Sequence, residues 1–335
     1  LDAIGVTNYQ AVTLPGWAHA FANWPAIKDQ AIAFLAAGFA GVPPVPTPTP
    51  SATPSPSPTA TVAPSPTASP TPPPSKAPTP SKVLLNVSTR VRVESGTAVM
   101  IGGFIINGDV PKQVALRAVG PSLVDAGVTD ALSDPVLELY DSTGALIAQN
   151  DNCSSLAPNQ IPTGLRPLNG HESLIWVTLS QGSYTAVLRG ANGTTGVGLI
   201  ELYDLDPASS RVSNISTRAQ VGAGSDAMIG GFIIGGQDPT NVIVRAVGPS
   251  LAASNIPNPL TNPMLELYDS EGSLIFSNDD WRSTQAQQII ATGLAPSDDR
   301  ESAILATLSP GNYTAVVHDA ASAQGVALVE VYNLD

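Results

Sequence analysis

Four kinds of side chain in this 335-residue sequence could do chemistry: a histidine in a Pro-Gly loop, two arginines set in apolar runs, a single cysteine, and neighbouring aspartates. His19 sits in LPGWAHAF. It could act as a general base only with a nucleophile in reach. No G-x-S-x-G elbow occurs in the sequence, so no catalytic residue is assigned, and His19 would become one only as part of a longer hydrolase. Arg117 and Arg245 each open the stretch RAVGPSL. A guanidinium half-buried in such a run needs a carboxylate or carbonyl. Glu138 and Glu266, in the two LELYDS stretches, are the expected partners, giving structural ion pairs Arg117–Glu138 and Arg245–Glu266 in preference to a ligand site. Cys153 corresponds to Trp281 in the second copy, which points to packing, since a lone thiol completes neither a disulfide nor a zinc site. Asp279-Asp280 and Asp298-Asp299, with Asn150-Asp151 matching the first, offer oxygen ligands for calcium. No D-x-D-x-D-G loop is present, so they read as solvated turn acids. No metal and no cofactor is expected. His171 and His318 fall at non-equivalent positions, against a shared histidine site.

The elements that must position these residues are duplicated. RAVGPSL at 117–123 returns at 245–251, MIGGFII at 100–106 returns at 228–234, LELYDS at 137–142 returns at 265–270, and YTAV at 184–187 returns at 313–316. Internal repetition on this scale governs the fold reading. In the first copy, short apolar or alternating runs cover 84–93, 98–106, 114–119, 136–140, 146–148, 174–179, 184–188 and 196–203, with turn residues between. That is the pattern of an antiparallel sandwich. The fold class is therefore mostly β: two tandem, immunoglobulin-like sandwiches at 83–206 and 211–335. Gly102-Gly103 and Gly230-Gly231 mark a bulge or a close backbone approach. Gly120-Pro121 and Gly248-Pro249 end the arginine strands, and DSTG and DSEG are hairpin turns. Tyr184 and Tyr313 are expected to anchor strands through a bonded hydroxyl.

Ahead of the repeats lie two further pieces. Residues 1–42 read as a strand (9–14), a loop, and a helix (25–37) with the apolar stripe Ile27, Ala31, Phe34 and Leu35. So short a piece cannot bury a core of its own, and it reads as a segment that docks on a host surface. Residues 43–82 are almost wholly Pro, Thr, Ser and Ala. They form no packed core and favour an extended polyproline rod, about 120 Å long at about 3.1 Å per residue. Thr47, Thr49, Ser51, Thr53, Ser55, Ser57, Thr59, Thr61, Ser65, Thr67, Ser69 and Thr71 form a row of hydroxyls among prolines, the candidates for O-glycosylation of a stalk.

Composition bounds the function classes. The formal net charge is −13, with 14 basic residues scattered singly, which repels a phosphate backbone and excludes nucleic acid as a partner. No apolar run of membrane-spanning length is present. If exported, a chain beginning at Leu1 is expected to be a mature form or a piece.

The LPGWAHAF context, between an expected strand and an amphipathic helix, resembles the last β–α unit of α/β-hydrolases of the esterase and dienelactone-hydrolase type. That resemblance implies His19 as their general base and covers residues 1–40 only. RAVGPSL, LELYDS and the closing GVALVEVYNLD resemble the tandem sandwich modules of large secreted proteins of environmental bacteria, similar in build to immunoglobulin-like and pre-peptidase C-terminal domains. This second resemblance implies an extracellular, non-catalytic module. The expected function is thus an extracellular structural protein, a protomer of a glycosylated surface fibre or matrix that self-associates through its N-terminal segment and sheet edges. The alternatives are the C-terminal part of a secreted esterase with accessory sandwiches, or a surface adhesin.

Overall fold

The computed structural model describes residues 82–335 except 97, 158–160, 162, 206–210 and 223–225. The expected docking segment with His19, and every O-glycosylation candidate, lie outside the described residues. The first repeat supplies eight strands: β1 (Lys82–Val93), β2 (Met100–Asn107), β3 (Lys112–Val119), β4 (Pro135–Tyr140), β5 (Leu146–Asn150), β6 (Ser173–Leu179), β7 (Gly182–Gly190) and β8 (Gly196–Asp204). The second supplies their counterparts: β9 (Arg211–Val221), β10 (Met228–Gly236), β11 (Thr240–Val247), β12 (Pro263–Tyr268), β13 (Leu274–Asn278), β14 (Ser302–Leu308), β15 (Gly311–Asp319) and β16 (Gly325–Asn333). The sequence expectation of eight strands per copy matches these elements one for one. The α-helix among the described residues is Ala286–Ala291, and no helix there is long and apolar enough to cross a membrane.

All sixteen strands lie in two antiparallel, eight-stranded sheets. One, sheet A, runs β13-β12-β15-β10-β1-β8-β3-β6; the other, sheet B, runs β14-β11-β16-β9-β2-β7-β4-β5. Within the first repeat the order is thus 1-8-3-6 facing 2-7-4-5, and the second repeats it as 9-16-11-14 facing 10-15-12-13. Eight strands in this order make a jelly roll, which differs from the seven or nine strands of an immunoglobulin domain. The expectation of two sandwiches in tandem meets a closer union here. β1 pairs with β10 over Lys82–Gly236 to Arg90–Ile229, and β2 pairs with β9 over Ile101–Arg218 to Asn107–Arg211. Both sheets therefore continue from one repeat into the other.

The reason lies in the edges. Taken alone, a repeat would leave β1 and β2 as long open edges, and an unpaired edge invites association. The duplication lets each such edge take its counterpart from the other copy. An approximate two-fold axis passes between Thr89 of β1 and Thr217 of β9, whose hydroxyls meet across the two sheets at 2.8 Å. One buried apolar cluster, with Val91, Met100, Leu116 and Leu188 from the first repeat and Phe232, Val244, Leu265 and Val317 from the second, fills the space between the sheets.

Local signals behave as their chemistry requires. Gly102-Gly103 keeps regular register against β7, and the β2–β9 irregularity falls between Ile105 and Ile106. Gly103 instead marks a close approach: a Cβ there would stand 2.8 Å from Ser216 Oγ. Asp141 Oδ1 accepts the backbone N–H of Thr143 and Ala145, closing the β4–β5 hairpin. Tyr184 and Tyr313 donate their hydroxyls to the Ser180 and Ser309 carbonyls at 2.8 and 2.9 Å, and each stacks on a phenylalanine, Phe104 or Phe232. Gly120 and Gly248 have no room for a side chain, since a Cβ would lie 2.1 Å from the Leu132 carbonyl oxygen and 2.3 Å from that of Leu260.

Gly120→Ala and Gly248→Ala should each cost about 1–3 kcal/mol, because the backbone must shift to relieve the overlap. As the repeats share one core, either variant should lower a single calorimetric unfolding transition. Two separable transitions, only one of them moved, would show that the copies unfold independently.

Candidate functional site

The arginines of the two RAVGPSL stretches are ion-paired, though not with the glutamates the sequence suggested. Arg117 Nε lies 2.7 Å from Glu201 Oε2, and Arg245 Nε lies 2.9 Å from Glu330 Oε2. Topology decides this. β3 lies in sheet A with β8 beside it, placing Arg117 opposite Glu201, whereas β4, which carries Glu138, belongs to sheet B. In the second copy β11 and β16 set Arg245 opposite Glu330, and Glu266 sits in sheet A.

Glu138 is taken by Arg189 at 2.6 Å. Glu266 faces His318, the counterpart of Arg189, at 3.8 Å. The corrected arrangement repeats in detail. The guanidinium lies over Tyr203 at 5.5 Å in the first copy and over Tyr332 at 5.3 Å in the second. Arg117 also donates to the Leu165 carbonyl and Arg245 to that of Leu294. Burial works against both charges, yet Glu201 and Glu330 hold the guanidinium groups above their ordinary range. Burial, and then the charge on Glu201, pushes the Tyr203 phenol up.

A signal for this was in the sequence. The pattern Glu-x-Tyr occurs at Glu138, Glu201, Glu266 and Glu330. Residues two apart on a strand share a face, and in each case the tyrosine hydroxyl donates to the glutamate, at 2.9, 2.9, 2.8 and 2.8 Å. The pattern alone does not say which of the four receives the arginine.

The rest of RAVGPSL serves a second carboxylate. Glu172 is fully buried, and its Oε1 accepts the backbone N–H groups of Gly120 and Ser122, at 3.1 and 2.8 Å, while Oε2 accepts the Ser122 hydroxyl. Glu301 holds Gly248 and Ser250 through the same three donors, all of them on its Oε1. A buried carboxylate is tolerable only when hydrogen-bonded, and this one ties the arginine strand's exit turn to the start of β6 or β14.

The remaining candidates find structural roles. Cys153 is buried and packs with Ile161, Leu165 and Leu174, and burial pushes its thiol up. Trp281 fills the equivalent place with Ile243 and Ile289. Asp298 receives Arg300 at 2.8 Å, Asp299 receives Arg282, and Asp279 accepts from Asn262. Asn86, which opens an N-x-S triplet, is buried in β1 and donates to the Leu202 carbonyl. Lys112 and Asp204, which sequence reading passed over, form a buried ion pair at 2.6 Å. In the second copy Thr240 and Asn333 stand at these positions.

The two outer faces of the sandwich differ. On sheet A, Val119, Leu123, Leu199, Ala227, Ile229, Tyr268 and Val316 form a closed apolar cluster. Their counterparts on sheet B are Val247, Leu251, Leu328, Val99, Ile101, Tyr140 and Val187, and all seven line an open groove of about 980 Å³. Tyr268 and Val316 are 2% and 1% exposed, while Tyr140 and Val187 are only half-buried. The groove floor crosses β11, β16, β9, β2, β7 and β4. Its walls include the Leu251–Ile256 turn on one side and the Asp141–Gly144 hairpin turn on the other.

Arg245→Met should cost about 3–5 kcal/mol in urea unfolding, because it strands the charge of Glu330 inside the protein. Arg189→Met, at a side chain 38% exposed, should cost no more than about 1 kcal/mol. Equal losses would remove the distinction between the two pairs. Lys112→Thr alone should cost about 3–5 kcal/mol, whereas Lys112→Thr with Asp204→Asn, the second copy's own solution, should recover much of that loss. The difference would be read from the same unfolding curves.

No protein-family model and no curated protein matches the chain. Among solved structures it is similar to a chain in the atomic structure of Sulfolobus Turreted Icosahedral Virus, at 11% identity and a TM-score of 0.22, over 75% of this chain and 89% of that one. At that score the likeness supports no statement about this protein.

Proposed function

We propose that the chain is an extracellular, non-catalytic structural protein, a protomer of a surface fibre or matrix. Residues 43–82 serve as its glycosylated stalk, and residues 1–42 as a docking piece. The observation that carries this reading is the chemistry of the sheet edges. Among the described residues, β5 closes one end of sheet B and β13 the opposite end of sheet A, each with one hydrogen-bonded neighbour. Their sequences, LIAQN and LIFSN, contain no charge and no proline. Leu146, Ile147, Leu274 and Phe276 are 51, 41, 48 and 40% exposed. Edge strands ordinarily carry a lysine, a proline or a covering segment that blocks addition of a further strand. Two edge strands of this composition at opposite ends suit open, repeating association of copies.

Other features agree. The arginines and glutamates set in apolar strands are engaged in the packing networks described above, which gives them structural roles. The resemblance of RAVGPSL and LELYDS to the sandwich modules of secreted proteins supports an extracellular reading. Low charge and a row of Pro-flanked hydroxyls suit that compartment.

Ile147→Lys with Phe276→Lys places a charge on each open edge. Wild-type protein should associate in sedimentation velocity and form filaments in electron micrographs, while the double variant stays monomeric with an unchanged circular dichroism spectrum. A wild type that remains monomeric at every concentration overturns the reading, and ester hydrolysis by that monomer would favour the esterase alternative.

A further inference from the structure

We infer that Lys112 and Asp204 condense into an isopeptide bond, a covalent staple between β3 and β8 of the first repeat. The ion pair described above is the state before condensation. Both partners point into the space between the sheets. Lys112 shares a strand face with Val114 and Leu116, and Asp204 shares one with Leu202 and Ile200, all of them in the buried core. The ladder sets Asp204 opposite Val114, one diagonal step from Lys112. The two side chains are 0 and 2% exposed, and Lys112 Nζ stands 2.6 Å from Asp204 Oδ1.

A lysine is almost never buried this fully, and an ion pair stripped of its water is held at a large desolvation cost. Passing a proton from Nζ to Oδ1, along the hydrogen bond that already joins them, removes both charges. It leaves an amine beside a carboxylic acid. The amine lone pair then attacks Cγ and forms the N–C bond. A second nitrogen proton goes to the hydroxyl oxygen, the C–O bond breaks and one water leaves. The amide keeps one N–H, nothing is oxidised or reduced, and the net charge of the chain is unchanged. Two reactants held by one fold need no encounter, which is equivalent to about 10⁵ M or more of a free partner. Dry surroundings oppose the return of the water.

The other buried pairs lack this chemistry. Arg117 and Arg245 face Glu201 and Glu330 with guanidinium groups, which stay protonated in proteins. The second copy, with Thr240 and Asn333 at the equivalent positions, has neither the amine nor the acid. A staple also has a use here. One cysteine cannot form a disulfide within the sequence, and β8 is the last strand before the passage to β9. Tying that exit to β3 closes residues 112–204 into a loop, and a constraint on the unfolded chain grows with loop length.

The test is a tryptic map of the full chain, folded and held at neutral pH for several days before denaturation. Trypsin cuts after Arg92, Arg117, Arg189 and Arg211, and it spares an acylated Lys112. The expected product is peptide 93–117 joined to peptide 190–211, lighter than their sum by one water. Its fragment masses should place the join at positions 112 and 204. Protein held in urea for the same time should be cut after Lys112, with the two peptides separate. Asp204→Ala should restore that cut in the same way. Complete cutting after Lys112 in the folded wild type, or a join of Lys112 to another acid, would overturn the inference. The urea sample reads the need for folding without any variant, and neither result depends on whether copies associate into a fibre.

Discussion

The rest of the structure depends on one constraint: a β-strand cannot leave its backbone groups unpaired without either exposing them to water or finding another strand. Each repeat, built as 1-8-3-6 over 2-7-4-5, brings its first two strands to the same side as open edges. Pairing β1 with β10 and β2 with β9 satisfies four edges at once. It also forces the inner faces of both repeats to line one space, so Val91 and Phe232 belong to a single core. The Thr89–Thr217 contact then follows from symmetry. What remains unpaired is pushed to the far ends, at β5 and β6 on one side and β13 and β14 on the other.

Register on those sheets decides which charges meet. Four Glu-x-Tyr pairs are chemically alike, and each glutamate holds its tyrosine. Only Glu201 and Glu330 lie opposite an arginine on a neighbouring strand. Burial gives those pairs their consequence. Glu201 is 1% exposed and Glu330 3%, where removal of the cation is costly, whereas the Glu138–Arg189 pair is open enough for water to share. The same sequence word thus has different energetic weight according to the strand beside it.

This is also where sequence reading reached its limit. Strands came through because apolar alternation and turn residues are local signals: every run expected in the first copy has a strand under it, with ends moved by a few residues at most. The Asp141 turn, the Gly120 exit and the Tyr184 anchor were readable for the same reason. The partner of Arg117 was not, because proximity in the chain favours Glu138 while sheet order favours Glu201, and sheet order is set by long-range pairing. The union of the two repeats was hidden likewise: an edge strand looks the same in sequence whether its partner is solvent or a sister copy. Of the paired glycines only Gly103 marks a close approach, to the Ser216 hydroxyl, while Gly102 and Gly230 meet ordinary contacts in regular register, since a glycine pair in a strand does not say which use it serves.

Duplication then leaves a record of what each position is free to do. Where both copies need the same geometry, the residues agree: Arg117 with Arg245, Glu172 with Glu301, Gly120 with Gly248. Where a position can be satisfied in more than one way, unlike residues serve, as with Cys153 and Trp281 or the Lys112–Asp204 and Thr240–Asn333 pairs. The outer faces fit neither case. Their residues are nearly the same, yet they are buried unevenly: Val119 and Val247 are alike at 6 and 7% exposed, while Leu123 and Tyr268 are buried and Leu251 and Tyr140 only half-buried. Similar side chains in unlike states point away from drift in composition and toward a difference in what each face packs against. Apolar groups gain by leaving water wherever a cover exists, so how deeply a shared position is buried reports the segments around it as well as its own chemistry.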